Sequence, residues 1–345
     1  MSEPSLRKVL VLRLSSIGDV ILATPMLRAI KRRFPECLVD MVTRREFGEL
    51  LTGNPHIDRL HLLDTAEGRA GLRALNLALM SERYDAVFDL HNNFRSRTIR
   101  NGLSSNVHII RKRGVRRLLL YRFKWNTYRE IVPVPERYME TTARYGVKAD
   151  AEGPRLYPDD GTRLSARLKL RAAGADPARP SVGLCPGAMH FTKRWPAEHF
   201  VGLARLLVAE GERLLLLGGT ADHEAAAAIA RLAPEHITDL TGRLTLMETA
   251  AAMEYCRVVV ANDSGLMHMA TAMSRPVVAL FGGTVREFGF FPYHASSVVL
   301  EVEGLRCRPC SHIGRDRCPE GHFACLRGIV PGDVVTAIRT HLPAP

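Results

Sequence analysis

Short apolar runs alternate with amphipathic segments along most of the chain. The segments between the runs, such as Glu198–Glu210, keep their apolar residues at helical spacing. Strands that alternate with helices are typical of parallel sheets covered by helices. The pattern therefore predicts an α/β fold of doubly wound parallel sheets. The predicted strands are Lys8–Leu14, Leu38–Thr43, Arg59–Leu63, Ala86–Leu90, Val107–Ile110, Ser181–Cys185, Arg213–Leu217, Val258–Ala261, Val277–Phe281 and Ser297–Leu300.

Between the two groups of strands, proline and glycine are concentrated in residues 149–180, around one predicted helix at Leu164–Ala173. Such residues accumulate where few contacts join two domains. A chain of 345 residues is also long for a single core. We therefore predict an N-terminal Rossmann-like domain at 1–155, a linker region at 156–180 and a C-terminal Rossmann-like domain at 181–345. We expect the two sheets to face each other across a ligand-binding cleft.

The composition argues against a membrane-spanning or secreted protein. Lys8 and Arg13 interrupt the apolar stretch near the N-terminus, which is unlike a signal peptide. No run reaches the roughly 18 apolar residues that a membrane-spanning helix needs. The seven cysteines, an odd number, fit a reducing compartment better than a disulfide framework. We therefore expect a cytoplasmic protein.

The net charge of +12 is concentrated in the first half of the chain. Residues 1–160 hold 28 Lys and Arg against 19 Asp and Glu. From Leu90 to Arg129, eleven basic residues occur without an acidic one. Such a surface attracts phosphate, whether in nucleic acid, in anionic lipid head groups or in a phosphorylated glycolipid. A solvated basic face is the alternative, and the length of the acid-free run favours an anionic partner.

The loop after the first strand, Ser15-Ser-Ile-Gly-Asp-Val20, combines a glycine that permits a tight turn with an acid at a helix start. Asp19 either caps that helix or takes part in chemistry, and the two roles are compatible. Only Gly18 is present where dinucleotide-binding enzymes have G-x-G-x-x-G, which disfavours a nicotinamide enzyme. Pro25 predicts a kink or a late start in the helix Val20–Arg33.

Two loops of the second half are candidates for binding phosphate and sugar groups. In Leu184–Pro196, Gly187 lets backbone amides approach a ligand closely, and Lys193 adds a cation. Glu224 follows the strand Arg213–Leu217. Its carboxylate either accepts hydrogen bonds from sugar hydroxyls or simply favours the helix N-terminus.

The most informative segment is Asn262-Asp-Ser-Gly-Leu-Met-His268, which joins a continuous apolar strand to a helix. Free N–H groups and the helix dipole favour phosphate at that helix N-terminus. A lone helical histidine is usually structural, but His268 follows a strand-end Asp-Ser-Gly and is a candidate ligand contact. Leu280-Phe-Gly-Gly-Thr284 repeats the order of strand and glycines one strand later.

Taken in order, three of these segments resemble the motifs of glycosyltransferase family 9, the lipopolysaccharide heptosyltransferases. They are Val11–Val20, Pro186–Ala188 with Lys193–Pro196, and Asn262–His268. The resemblance spans nearly the whole chain, and within the family it points to the enzymes that add the second heptose, heptosyltransferase II. It implies the GT-B fold, an ADP-heptose donor and a lipopolysaccharide inner-core acceptor, lipid A–Kdo–heptose. It also implies an inverting displacement that needs no metal ion.

The resemblance implies a role for each motif residue as well. Asp19 would be the catalytic general base that takes the proton of the acceptor hydroxyl. Lys193 and the loop amides would neutralise the leaving diphosphate. No cofactor is implied, and no persuasive D-x-D metal motif occurs in the sequence. The implied donor-binding residues are Gly187, Ala188, Met189, Lys193, Glu224, Asp263, Ser264, Gly265, Leu266, Met267 and His268.

With this resemblance, the partner expected for the basic run is a lipid-borne acceptor in an anionic membrane, and not nucleic acid. The segment Gly114–Trp125 mixes cations with large apolar groups, as an interfacial helix does. A partly buried helix whose arginines extend into solvent is the alternative. We expect peripheral attachment to the inner face of the inner membrane. The predicted acceptor- or membrane-binding residues are Arg111, Lys112, Arg113, Arg116 and Arg117.

Four late cysteines, Cys307, Cys310, Cys318 and Cys325, have the number and chemistry of a tetrahedral zinc site. Cys307 and Cys310 have C-x-x-C spacing, whereas the other two do not. Free thiols that pack a local loop are therefore the favoured interpretation, with structural zinc as the alternative.

Two other functions are compatible with the sequence. A GT-B enzyme with another nucleotide sugar, either a different core glycosyltransferase or a sugar-nucleotide epimerase, would share the strand-end motifs. An epimerase would turn over its nucleotide sugar without a lipid acceptor. A non-catalytic protein that binds anionic ligands would use the basic run, but it would not need Asp19 or the Asn262–Gly265 segment.

Overall fold

The computed structural model describes residues 5–341, which fold into two compact units. One unit comprises residues 5–112 and 132–157, and the other comprises residues 113–131 and 158–341. Residues 113–131 therefore belong to the second unit, although they lie within the first 155 residues of the chain. The chain passes from one unit to the other three times.

Strands and helices alternate through the described residues. The strands are β1 Lys8–Leu12, β2 Leu38–Arg44, β3 Arg59–Leu63, β4 Ala86–Asp89, β5 Val107–Ile109, β6 Ser181–Cys185, β7 Leu214–Leu216, β8 Ile237–Asp239, β9 Cys256–Asn262, β10 Val277–Phe281 and β11 Ser297–Glu301. The helices are α1 Ile17–Ile21, α2 Thr24–Arg33, α3 Gly68–Met80, α4 Phe94–Arg100, α5 Gly114–Phe123, α6 Val134–Met139, α7 Asp160–Ala172, α8 Ala197–Ala209, α9 His223–Ala230, α10 Leu246–Met253, α11 Gly265–Ala272, α12 Ala324–Arg327 and α13 Pro331–His341. Short 3-10 helices occur at Arg45–Leu50, Glu140–Tyr145, Phe191–Lys193, Thr220–Asp222 and Arg286–Phe288.

Each unit contains one parallel sheet. The strand order is β3-β2-β1-β4-β5 in the first unit and β11-β10-β9-β6-β7-β8 in the second. In both sheets the chain starts in the middle, winds to one edge, and then returns to wind to the other. The winding reverses between β1 and β4 and between β6 and β9. Ligands of doubly wound sheets bind outside the carboxyl ends of the strands at such a switch point.

The predicted α/β fold of parallel sheets is confirmed. All ten predicted strands are present, and their observed ends differ from the predicted ones by at most two residues. Strand β8 was not predicted, because it has only three residues and Ile237 is its one apolar side chain. The helix predicted at Val20–Arg33 is divided into α1 and α2, and Pro25 lies in the first turn of α2, as predicted.

The central strands are buried on both faces, which explains their unbroken apolar runs. Every residue of β4, β6 and β10 is buried, and so are Val9 to Leu12 of β1. Side chains of α8, α12 and α13 complete the core of the second unit around Trp195 and Phe200. These buried strands fix the positions from which the loops at their carboxyl ends begin. No helix within residues 5–341 has the length and apolar character to cross a membrane.

Candidate active site

In the first unit, Asp19 lies in the first turn of α1, the helix that follows β1 at the switch point between β1 and β4. Its Oδ1 atom is 2.7 Å from Nη2 of Arg13 and accepts a hydrogen bond from the hydroxyl of Tyr138 at 3.2 Å. Its Oδ2 atom accepts the backbone N–H of Ser16 at 3.4 Å and the Ser16 hydroxyl at 3.2 Å. Asp19 thus caps its own helix, as one interpretation of the sequence expected. The same contacts fix the orientation of a carboxylate that stays partly accessible.

Arg13 and Tyr138 are site residues that the sequence did not reveal. Arg13 donates to the backbone carbonyls of Ser15 and Leu90, so its guanidinium is held in place beside Asp19. Burial disfavours the charged form of Arg13. The charge and hydrogen bond of Asp19, together with Tyr138 and Asp89, outweigh this effect, and the pKa of Arg13 is raised. Burial raises the pKa of Tyr138, so its hydroxyl remains a donor. A cation and a neutral donor therefore stabilise the ionised carboxylate.

His91 is a second side chain of this region that the sequence did not single out. It follows β4, and its backbone N–H is held by the buried carboxylate of Asp89 at 2.9 Å. Burial and then the charges of Arg13 and Lys112 lower the pKa of His91 to about 4. Its buried Nδ1 atom has no hydrogen-bond partner among the residues that the structure describes. His91 is therefore a neutral imidazole with capacity for a further hydrogen bond.

In the second unit, Asn262 shapes the loop that follows β6. This buried amide donates to the carbonyl of Pro186 at 2.8 Å, and its Oδ1 accepts the backbone N–H of Trp195 at 3.0 Å. The indole of Trp195 in turn donates to the carbonyl of Ile329 at 2.9 Å. Arg194 donates to the carbonyl of Ala188 at 2.6 Å. The two ends of the predicted phosphate-binding loop are thus tied to the carboxyl end of β9.

Gly187 is required by a close approach between this loop and the loop after β7. A Cβ atom at Gly187 would lie 2.1 Å from Oδ1 of Asp222, far inside van der Waals contact. Asp222 cannot simply turn away, because its Oδ2 accepts the backbone N–H of Gly219 at 2.9 Å. The glycine therefore lets the loops after β6 and β7 pack against each other.

Lys193 and Asp263 form an ion pair at the switch point between β6 and β9. Nζ of Lys193 is 2.8 Å from Oδ2 of Asp263, and both side chains are largely buried. Thr284, from the loop after β10, donates its hydroxyl to the same oxygen at 2.6 Å. Three strand-end loops thus place one cation in a fixed position beside the N-terminus of α11.

Ser264 precedes α11 in the N-cap position, where an oxygen usually accepts a backbone N–H. Here the Ser264 side chain makes no such bond, and its buried hydroxyl has no hydrogen-bond partner within residues 5–341. Beside it lie the backbone N–H groups of Gly265, Leu266 and Met267 at the helix start, which have no acceptor in the described part of the chain. An orphaned hydroxyl at a helix N-terminus next to Lys193 is an arrangement that suits a phosphate group.

The remaining predicted donor-binding residues lie around these loops. Ala188 is half-buried and Met189 is exposed. His268 is buried within α11, with its ring 6.4 Å from that of Phe290. Glu224 lies in the first turn of α9 and is exposed, which also suits a favourable interaction with the helix dipole. Whether each of them binds a donor stays a prediction.

The five predicted basic residues are divided between the units. Arg111 and Lys112 follow β5 in the first unit, where Nζ of Lys112 donates to the carbonyl of Asn92 at 2.9 Å. Arg113, Arg116 and Arg117 belong to α5 and its N-cap in the second unit.

The four late cysteines are free thiols that line one small pocket together with His322. Burial raises the pKa of Cys325 to about 11 and also raises that of Cys310, which favours the protonated thiols. In the part of the chain that the structure describes, no three His, Cys, Asp or Glu side chains are placed to hold a metal ion. Structural zinc at these cysteines stays a prediction.

Comparisons with known proteins match the chain over most of its length. The family model of glycosyltransferase family 9 (heptosyltransferase) matches residues 72–319. The lipopolysaccharide heptosyltransferase 2 of Escherichia coli (strain K12) is 26% identical over 97% of this chain and 98% of its own length. The enzyme of the same name from Salmonella typhimurium is 28% identical with the same coverage.

Solved structures show the same fold. A glycosyl transferase family 9 protein from Veillonella parvula DSM 2008 matches with a TM-score of 0.82 at 24% identity, covering 98% of each chain. The E. coli ADP-heptose LPS heptosyltransferase II matches with a TM-score of 0.69 at 24% identity, covering 96% of this chain and 97% of its own. These likenesses confirm the predicted GT-B fold class with two Rossmann-like sheets.

Proposed function

This chain belongs to glycosyltransferase family 9, the heptosyltransferases, and from that premise we propose that it transfers a heptose from ADP-heptose to the lipid A–Kdo–heptose core of lipopolysaccharide. The glycosyltransferase activity follows from the family. The donor, the acceptor and the inverting, metal-independent mechanism are the proposal. The names of the E. coli and Salmonella relatives support lipopolysaccharide as the acceptor class, and the name of the solved E. coli enzyme supports the donor.

The observation that carries the proposal is the anion site at the start of α11. A diphosphate there would accept hydrogen bonds from the orphaned Ser264 hydroxyl and from the free N–H groups of α11. Lys193 would supply the positive charge. The loop after β6, with Gly187 and its amides, would contact the same group or the sugar.

At the leaving group, the bond between the anomeric carbon and a diphosphate oxygen breaks, and negative charge grows on that oxygen. Asp263 and Thr284 hold Lys193 in place before the donor arrives. A cation and backbone dipoles that are fixed in advance stabilise this developing charge without reorganising. In the proposal, Lys193 and the backbone N–H groups neutralise the charge that a divalent metal ion neutralises in metal-dependent transferases.

At the acceptor, a hydroxyl oxygen forms the new bond to the anomeric carbon from the side opposite the departing diphosphate, which inverts the configuration. Asp19 takes the hydroxyl proton as general base. Arg13 and Tyr138 orient its carboxylate before the acceptor binds, as a general base requires. The proton therefore moves to Asp19 while the electron pair of the broken bond leaves with ADP.

The acceptor of the proposed reaction is lipid-linked, so we place the enzyme at the cytoplasmic face of the inner membrane. Arg111, Lys112, Arg113, Arg116 and Arg117 are the proposed contacts to acceptor phosphates and anionic lipid. A phosphorylated acceptor in an anionic leaflet offers these side chains several negative charges at short range.

The test is ADP release from ADP-heptose in the presence of a chelator, with heptose-free and one-heptose acceptors compared. We expect release only with the one-heptose acceptor, undiminished by chelation. Asp19→Asn should reduce the rate about 10²–10⁴-fold. The matched control Asp160→Asn, at a fully exposed carboxylate of α7, should leave it unchanged.

Each other outcome contradicts a specific part of the proposal. Release with the heptose-free acceptor alone would assign the chain to an earlier transfer step. No release with either acceptor would contradict the donor, and release without any acceptor would indicate another reaction. Full activity of Asp19→Asn would remove Asp19 as the base.

A further inference from the structure

Helix α5 and the residues after it carry an exposed apolar surface on the second unit. Its side chains are Val115, Leu118, Phe123 and Trp125, which are 73, 45, 66 and 64% exposed. We call these four side chains the α5 surface. Four large apolar groups within eleven residues, all turned to solvent, are unusual for a helix of a globular protein.

The opposite side of α5 is attached to the second unit. Leu120 is buried, and the ring of Tyr121 lies 5.3 Å from that of His312. Lys124 donates to the carbonyls of Cys307 at 2.9 Å and Pro309 at 2.6 Å. The helix is therefore fixed in its rotation, and its apolar residues face outward as a consequence of folding.

The charges around the α5 surface are positive. Arg116 and Arg122 are exposed between the apolar side chains, and neither forms an ion pair with any residue from 5 to 341. No acidic residue occurs from position 90 to position 129. Large apolar groups interleaved with unneutralised arginines match the boundary between acyl chains and anionic head groups.

Helix α7 of the same unit shows that exposed leucines alone do not make such a surface. Leu164 and Leu168 are as exposed as the residues of α5. However, Arg163 is paired with Glu254 at 3.1 Å, and Lys169 with Glu248 at 2.6 Å. Two of the four cations of α7 are thus neutralised, and Asp160 adds an exposed carboxylate in its first turn. The surface around these leucines therefore carries both signs of charge and should attract an anionic membrane less than the α5 surface does.

We propose that the α5 surface inserts into the interfacial region of an anionic lipid bilayer, so that the unit containing the candidate donor site is itself held at the membrane. The inference deepens the proposed function, on which it rests for the lipid-borne acceptor. A bilayer satisfies both components of the surface, because the apolar side chains enter the acyl boundary while the arginines contact phosphates.

The chain contains its own probe for this insertion. Only two tryptophans occur in the sequence, and Trp195 is 2% exposed, whereas Trp125 lies in the α5 surface. Vesicles of phosphatidylglycerol and phosphatidylcholine without acceptor should shift the emission of Trp125 to the blue. Brominated acyl chains should quench it. Pure phosphatidylcholine should do neither.

Matched variants separate the apolar and the electrostatic contributions. Leu118→Ser/Phe123→Ser should lower the vesicle partition constant at least about tenfold, because two large side chains lose their apolar environment. Arg116→Gln/Arg122→Gln should lower it about 30-fold at low salt, at one favourable charge contact per arginine, and should make binding less sensitive to salt. The control Leu164→Ser/Leu168→Ser in α7 should bind as the unchanged protein does.

Transfer assays distinguish failure of this inference from failure of the proposed function. Leu118→Ser/Phe123→Ser should keep full transfer to a deacylated, water-soluble acceptor and lose transfer to acceptor in vesicles. If the unchanged protein transfers to the soluble acceptor but shows no vesicle-induced shift, the inference is wrong and the proposed function stands. Vesicle binding without any transfer would contradict the proposed function alone.

Two further results would overturn the inference. A Trp125 shift induced by the soluble acceptor and not by vesicles would make the α5 surface a glycan-binding site. Self-association without lipid that Leu118→Ser/Phe123→Ser abolishes, measured by sedimentation velocity, would make it an interface between two copies.

Discussion

Replacing Gly187 by alanine tests the geometry of the candidate donor site at one atom. The added Cβ would lie 2.1 Å from Oδ1 and 2.2 Å from Cγ of Asp222. Ordinary van der Waals contact of a Cβ atom begins at 3.4 Å. The Asp222 carboxylate must therefore move by more than about 1 Å. The displacement breaks the hydrogen bond that Asp222 accepts from the backbone N–H of Gly219.

The size of the effect follows from two opposing contributions. Losing a hydrogen bond to an ionised acceptor costs about 1.5–3 kcal/mol. Alanine at a position without positive φ reduces the entropy of the unfolded chain, which stabilises by about 0.4–1 kcal/mol. The free energy of unfolding should therefore fall by about 1–2 kcal/mol in Gly187→Ala. The affinity for ADP should fall as well, because the displaced loops flank the anion site.

A double-mutant cycle measures the contact between residue 187 and Asp222 directly. Asp222→Ala removes the obstructing carboxylate, so Gly187→Ala should cost nothing further in that background and should stabilise by about 0.5 kcal/mol. Urea unfolding of the four proteins measures the cycle, and titration calorimetry measures ADP binding. As a control, Gly332→Ala has open space around the added Cβ and should not lower the stability.

Additive changes in the free energy of unfolding for Gly187→Ala and Asp222→Ala would contradict the expected steric contact. Additivity within about 0.5 kcal/mol would mean that Gly187 and Asp222 do not contact each other. Unchanged ADP affinity in Gly187→Ala would place the donor diphosphate away from this loop.

Three further changes probe the units separately. Arg28→Met removes the bidentate partner, at 2.6 and 3.0 Å, of the buried Asp150 carboxylate. Urea unfolding should show a loss toward the lower end of about 3–5 kcal/mol, because Arg32 still contacts Asp150. Burial of Asp150 opposes its ionisation, but hydrogen bonds from Arg28 and the backbone N–H of Glu152, together with the charges of Arg28 and Arg32, outweigh burial and lower the pKa of Asp150. This stabilisation is therefore present at neutral pH and lost as pH falls below about 4. The stability of Arg28→Met should therefore depend less on pH in that range. Lys193→Gln should lower kcat about 10²–10³-fold at saturating donor, with part of the rate restored by Lys193→Arg. Tyr138→Phe should lower kcat about 2–10-fold and leave ADP affinity unchanged, because Tyr138 belongs to the first unit.

The fold was predictable where buried strands impose a pattern on the chain. Strands β6, β9 and β10 lie inside their sheet, where helices cover both faces. Their sequences are therefore nearly continuous apolar runs. Strand β8 lies at the sheet edge with three residues, Ile237 to Asp239, and its sequence carries no comparable pattern. Pro25 marked the division between α1 and α2, because proline is tolerated only in the first turn of a helix.

The candidate site was predictable only in the residues that follow a strand. Asp19 and Ser264 have that position and could be found by reading along the chain. Tyr138, which contacts Asp19, lies 119 residues further on and carries no local signal. The same holds for Asp222 opposite Gly187, since the close approach exists only once two loops pack.

The assignment of α5 to the second unit has a consequence for how the chain folds during synthesis. Lys124 is held by the carbonyl of Cys307, 183 residues later, and Asn126 by Glu287, 161 residues later. At about 5–20 residues per second, the ribosome needs roughly 10–40 s to supply those partners.

During this interval residues 132–157 emerge and can complete the first unit. Residues 113–131 then form a loop between the two parts of that unit, without the rest of the second unit to pack against. The nascent chain therefore exposes Leu120, which is buried in the folded protein, and Tyr121, whose partner His312 has not yet been made. This segment can join its fold only when synthesis is nearly finished.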